Sequence, residues 1–174
     1  MRCPEGMAAE NENTSRVQPH IFTVGHSNHP IGVFIALLTA HGIAVLADVR
    51  SHPHSKYVPQ FNSRELKAAL AAEGIRYTFL GKELGGHPAD PDCYDADGRV
   101  LYSRLAESPN FLEGIRRVEK VTRECRVAMM CSEEDPSECH RHLLIARVLR
   151  KMGFGVRHIR GGGSVQTEDE MYRE

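Results

Sequence analysis

The sequence predicts an α/β fold: a single doubly wound, three-layer domain with a mostly parallel five-stranded sheet and helices on both faces. Three observations lead there. Short β-rich runs alternate with amphipathic helical stretches in the order β-α-β-α-β-α-β-α-β. At least one run, IAVLADV (43–49), is apolar without alternation, as a strand buried on both faces must be. Polar residues gather just after the predicted strands, where a parallel sheet places its ligands.

Each element has its own local warrant. Residues 1–19 are polar and mixed and read as a disordered leader ahead of a domain over 20–160. HIFTVG (20–25) is a first strand, and PIGVFIALLTAHG (30–42) is a helix opened by Pro30 and closed by Gly42. IAVLADV is the second strand, followed by the basic, proline-punctuated loop 50–61. NSRELKAALAAEG (62–74) carries Asn62 and Glu65 at capping-box spacing, and IRYTFL (75–80) is the third strand. The loop 81–99 is long enough to suggest function or mobility. A helix over 108–124, with a short helical turn near 100–107, leads to the strand CRVAMMC (125–131). A helix from Pro136 to Gly153, capped by Asp135, precedes the last strand, FGVRHI (154–159), and a polar tail over 161–174. The expected strand order is 3-2-1-4-5, with strands one and four flanking the ligand site.

Composition narrows the function. The formal net charge of -1 gives no chain-wide attraction to nucleic acid, so electrostatic recognition must be local. No apolar run is long enough to span a membrane, and the N-terminus lacks a signal core. The five cysteines are scattered without a C-x-x-C pair, so a disulfide framework is not expected and a cytoplasmic location is.

The stretch MMCSEEDPSECHRHLL (129–144) concentrates reactive groups. A cysteine ending a buried strand beside a helix start is a candidate nucleophile, which makes Cys131 catalytic with His26 as acid/base partner and Glu133 as supporting carboxylate. Cys131, Cys139 and His140, or Cys131 and Cys139 with His26, are candidate ligands for a divalent metal. Continuous helical spacing from Pro136 would turn Arg141 towards the cleft and Cys139 away from it. Ser27, Asp48, Arg50, Ser51, Tyr57 and Arg141 are the candidate substrate-binding residues, since Arg50, Arg141 and the helix start favour an anion. The expected function is an enzyme for a small anionic, nucleotide- or phosphate-type substrate. The alternatives are a nucleic-acid-binding module using the 50–61 loop and Tyr57, and a metal-binding protein.

TVGHSN, ADVRSHPHSKYVPQFN, LAAEGIRYTFLGKELGG and MMCSEEDPSECHRHLLIA, in that order over about 20–160, resemble the motifs of the bacterial and archaeal family called domain of unknown function 488. The C-x-E-x-x-P-x-x-C-H-R pattern matches at Cys131, Glu133, Pro136, Cys139, His140 and Arg141, while Lys56 stands where the family usually has arginine. The resemblance implies a compact α/β fold and a suspected enzyme or nucleotide-related binder, without an activity.

Overall fold

A computed structural model of the chain describes residues 19–173; the expected leader lies outside the described residues apart from Pro19. The sheet contains β1 (His20–Gly25), β2 (Val45–Asp48), β3 (Arg76–Phe79), β4 (Val127–Cys131), β5 (Gly155–Ile159) and β6 (Val165–Thr167). Their spatial order is β3-β2-β4-β1-β5-β6. All neighbours are parallel except β5 and β6. The α/β class and mostly parallel sheet are as the sequence predicts, but the count and order are corrected. The sheet has six strands, and β4 lies between β2 and β1 rather than outside β1. β6 comes from the segment read as a polar tail, which also carries α7 (Glu168–Met171). A three-residue strand has too little periodicity to announce itself.

Period-two alternation divides the interior into two cores. Val45, Ala47, Val127 and Met129 face one way, and α5 (Pro109–Thr122) covers them with Phe111, Ile115, Val118 and Val121. Leu46, Ala128 and Met130 face the other way and meet α1 (Ile31–Ala40) and α2 (Ser63–Ala72) through Phe34, Leu38, Leu66 and Leu70. The α5 start is set by Ser108, whose side chain accepts from the Phe111 N–H, and by Pro109. Two short helices, α3 (Gly81–Leu84) and α4 (Tyr102–Glu107), bracket the long loop.

Two local readings change at the helix starts. Asn62 precedes α2 but makes no cap bond; its side-chain oxygen accepts from the Ser55 N–H at 2.7 Å and pins the 50–61 loop. The helix expected from Pro136 is broken. Asp135 caps only a 3-10 turn, Pro136–Glu138, and Cys139 is extended (φ -122°, ψ 143°). A π-helical segment, Arg141–Ala146, then runs into α6 (Arg147–Lys151). Among the described residues no helix is long and apolar enough to cross a membrane.

Candidate functional site

The site lies at the carboxyl edge of β1, β2 and β4. Gly25 and Cys131 are register partners at the ends of β1 and β4. The ladder continues past both strands: His26 N–H donates to the Cys131 carbonyl at 3.0 Å, and Ser27 N–H to the Ser132 carbonyl at 2.8 Å. The loops HSNHP and SEEDP therefore run side by side. Glycine is required at residue 25, because a Cβ there would lie 1.8 Å from the Glu133 carbonyl oxygen. Ser27 adopts a left-handed conformation, with φ 46°.

Arg50 is the structural centre of one half of the site. Its Nε donates to Asp48 Oδ1 at 2.9 Å and its Nη2 to Asp48 Oδ2 at 2.7 Å, a bidentate pair buried at the end of β2. Nη2 also donates to the Phe61 carbonyl at 2.8 Å, and Nη1 to His26 Nε2 at 3.1 Å. The Tyr77 hydroxyl donates to Asp48 Oδ2 at 2.8 Å, and burial followed by the Asp48 charge pushes that phenol up. These bonds leave one Nη1 hydrogen for a ligand.

His26 has no free nitrogen. Nδ1 lies 2.7 Å from the Ser27 carbonyl, which can only accept, so Nδ1 carries the proton and Nε2 accepts from Arg50. The ring stacks on Phe61, with centroids 4.3 Å apart. Burial, joined by the Arg50 charge, lowers its pKa to about 4. The imidazole is thus neutral near pH 7 and fixed in one tautomer.

The other half of the site is built on Cys131, Cys139 and His140, all buried. His140 Nε2 lies 3.2 Å from the Val49 carbonyl and donates to it, so the lone pair of Nδ1 faces inwards. Both thiols meet that lone pair: Sγ of Cys131 and Sγ of Cys139 each lie 3.7 Å from Nδ1. Cys131 also donates to Glu133 Oε2 at 3.0 Å. The neighbouring Cys139 thiol, then burial, push the Cys131 thiol well up. Burial alone would raise the Glu133 carboxyl, but bonds led by the Cys131 thiol hold it below the usual range. The break in the helix at Cys139 is what turns this side chain inwards, where an unbroken helix would turn it out. Cys93, Cys131 and Cys139 are free thiols. Cys125, before the opposite end of β4, is disulfide-bonded, although the scattered cysteines suggest none.

Arg141 does not reach the cleft. It is 0% exposed, and its Nη2 donates to the carbonyls of Glu133 (2.8 Å) and Glu134, holding the turn from β4 in place. Its Nε and Nη1 have no hydrogen-bond partner among the described residues. Glu134 turns away from the site to chelate Arg160, at 3.0 and 2.8 Å, and Asp135 caps Ser137. Two of the three carboxylates that would repel an anion are thereby committed elsewhere.

A cavity of about 480 Å³ opens beside the thiols, walled by Arg50, Ser51, His52, His87, Tyr102 and Glu133 among others. A second cavity, about 520 Å³, shares Arg50, His52, Ser132 and Glu133 and extends past His26, Ser27 and His54. Of the residues singled out in the sequence, Ser27, Arg50, Ser51, Cys131, Glu133, Cys139 and His140 line one cavity or both, and His26 lines the second. Asp48 and Arg141 sit behind the walls, and Tyr57, 82% exposed, lies outside them with Lys56 over its ring. His87 and Tyr102 were not foreseen. The unusual length of the 81–99 loop was the available signal, and the Ser51 hydroxyl, accepting from the His87 N–H at 3.0 Å, ties that loop to the wall.

The family model described as Domain of unknown function DUF488 matches residues 30–148. No curated protein and no solved structure matches the chain.

Proposed function

With membership of the family described as domain of unknown function DUF488 as the premise, we propose that this chain is an enzyme that holds a divalent metal ion on Cys131, Cys139 and His140 and acts on a small anionic substrate in the adjoining cleft. The convergence of two thiols on one imidazole lone pair carries the reading. In a tetrahedral site with Zn–S near 2.3 Å and Zn–N near 2.05 Å, the sulfur–nitrogen edge is about 3.6 Å. Both Sγ–Nδ1 separations are 3.7 Å. The second nitrogen of His140 is anchored on the Val49 carbonyl, the arrangement that fixes the tautomer of a metal-bound histidine.

The thiol chemistry favours a metal over a free nucleophile. A nucleophilic cysteine needs a lowered pKa, whereas Cys131 is pushed up. A divalent ion removes both thiol protons outright. Two thiolates neutralise the ion, and the buried Arg141, whose charge interacts with Cys131, Cys139 and Glu133, offsets the carboxylate.

The fourth ligand position would open to the cleft. A metal held there would supply Lewis-acid activation of water. Glu133, which lines the cleft and would no longer bond a Cys131 thiol, would serve as the proton acceptor there. The remaining Nη1 hydrogen of Arg50, with Ser51 and His52, would orient the anionic group. His26 has both nitrogens committed, so its role is to position Arg50.

Metal analysis of the purified protein beside the Cys131→Ser/Cys139→Ser double variant tests this. The expected result is one equivalent of metal lost with the thiols. Equal metal content in the two proteins would overturn the reading.

A further inference from the structure

A second cluster of ligating side chains lies apart from the cleft. His142 on the π-helical segment, His158 on β5 and Glu168 at the start of α7 offer ligand atoms that all lie within 4.8 Å of one another. Glu168 Oε2 takes both hydrogen bonds, from His158 Nε2 at 2.7 Å and from His142 Nδ1 at 3.1 Å. Oε1 is also 3.0 Å from His142 Nδ1, but not in hydrogen-bonding geometry. Oε1 is left without a hydrogen-bond partner among the described residues, on a side chain 2% exposed. Burying such a group without a partner is unfavourable.

The outer contacts also fit a ligand role. The Thr23 hydroxyl lies 2.7 Å from His158 Nδ1 and fixes the ring so that Nε2 points at the carboxylate. Thr23 and His158 are register partners on β1 and β5, so the sheet itself holds this contact. Glu168 further lines a cavity of about 140 Å³, with Thr167, Phe154 and Gly155 among its walls. Arg150 and Arg157 also line that cavity, and His142 and His158 do not.

We infer that His142, His158 and Glu168 form a second metal site, taking a first-row divalent ion of the class bound by two imidazoles and a carboxylate. Zinc and ferrous iron both belong to that class. The ion would take the lone pairs of His142 Nδ1 and His158 Nε2, each imidazole proton moving to the other ring nitrogen, where His158 Nδ1 would donate to Thr23 Oγ1, and would give Glu168 Oε1 its missing partner. This site shares no ligand with the thiol cluster, and His140 and His142 direct their rings to different clusters.

Cobalt(II) loading of the full chain tests it, with bound cobalt counted after dialysis and read by absorption. Wild type is expected to hold two equivalents, and Cys131→Ser/Cys139→Ser one. The retained ion should show ligand-field bands without sulfur-to-cobalt charge transfer. Adding Glu168→Gln, nearly isosteric, should abolish the retained equivalent. If the triple variant fails to fold, the zinc-induced rise in Tm of the double variant serves instead. No cobalt in the double variant, undiminished cobalt after Glu168→Gln, or no zinc-induced rise in Tm would overturn the inference. A thiol-site failure looks different: wild type and double variant would then hold the same single equivalent.

Discussion

Replacing His26 should change how stability depends on pH. Its pKa falls from 6.5 to about 4 in the folded chain, chiefly because burial penalises the imidazolium. As pH drops, the unfolded chain therefore binds a proton before the folded one does. The stability contributed by neutral, buried His26 is complete above pH 6.5, falls as pH falls towards 4, and is flat below that. The full window is worth about 3 kcal/mol, at ~1.36 kcal/mol per unit of pKa. Between about pH 7.5 and about pH 5 the loss is ~2 kcal/mol. His20 and His158 are also lowered, mainly by burial, and act in the same direction. The comparison must therefore be between wild type and His26→Gln, by urea unfolding across that range. The variant is less stable at neutral pH, since Arg50 Nη1 loses its ring acceptor and Phe61 its stacking partner, but its stability should fall with acid by about 2 kcal/mol less than that of wild type. Parallel curves for the two proteins, or an imidazole resonance of His26 titrating at its ordinary value, would refute the reasoning.

Other perturbations have distinct signatures. Asp48→Ala strands the buried Arg50 charge and is expected to cost about 3–5 kcal/mol by urea unfolding. Tyr77→Phe removes one bond to the same carboxylate and should cost ~1–2 kcal/mol in that assay. Gly25→Ala drives a Cβ into the Glu133 carbonyl, displacing the turn that presents Cys131 and Glu133. Metal content should then drop even where circular dichroism reports a folded chain, and unchanged content would contradict the proposed site. In metal-free protein, alkylation of Cys131, followed by mass spectrometry, should be slow at neutral pH and rise with pH beyond the range of an ordinary thiol.

The alternation of strands and helices was legible because β1, β2 and β4 are largely apolar, buried runs and α2 and α5 each carry an apolar stripe. The carboxyl-edge loops followed from that rhythm, and Arg50, Cys131 and Glu133 do line the cavities there. Strand order was not legible. Whether β4 inserts between β1 and β2 or adds outside β1 depends on which helices share a face, and no local pattern encodes that. Cys139 was misplaced for a different reason. The apolar spacing from Leu144 to Leu149 is genuinely helical, but the 3-10 turn at Pro136 and the extended Cys139 break its phase upstream. Arg141 could be placed on the inward side of its helix, but the carbonyls that capture its guanidinium belong to a turn seven and eight residues earlier. Glu168 was hidden by its neighbours, since a buried glutamate inside QTEDEM looks like any other acidic surface residue.

The placement of β4 has a consequence for how the protein is made. β1 and β2 do not touch as neighbouring strands; β2 also pairs with β3 and β1 with β5, and β4 joins the two halves of the sheet, where Val24 meets Met130 and Leu46 meets Ala128. During translation the first two strands are synthesised long before the strand that joins them. Until then β1 and the β4-facing edge of β2 are apolar and unpaired, of the kind that recruit foreign strands. Cys131 ends β4 and Cys139 and His140 follow within nine residues, so the thiol cluster and the central pairing of the sheet become available together. An ion captured there during synthesis would tie down the central seam of the sheet before β5 and β6 add to it, and metal supply would then influence the yield of folded chain as well as its chemistry.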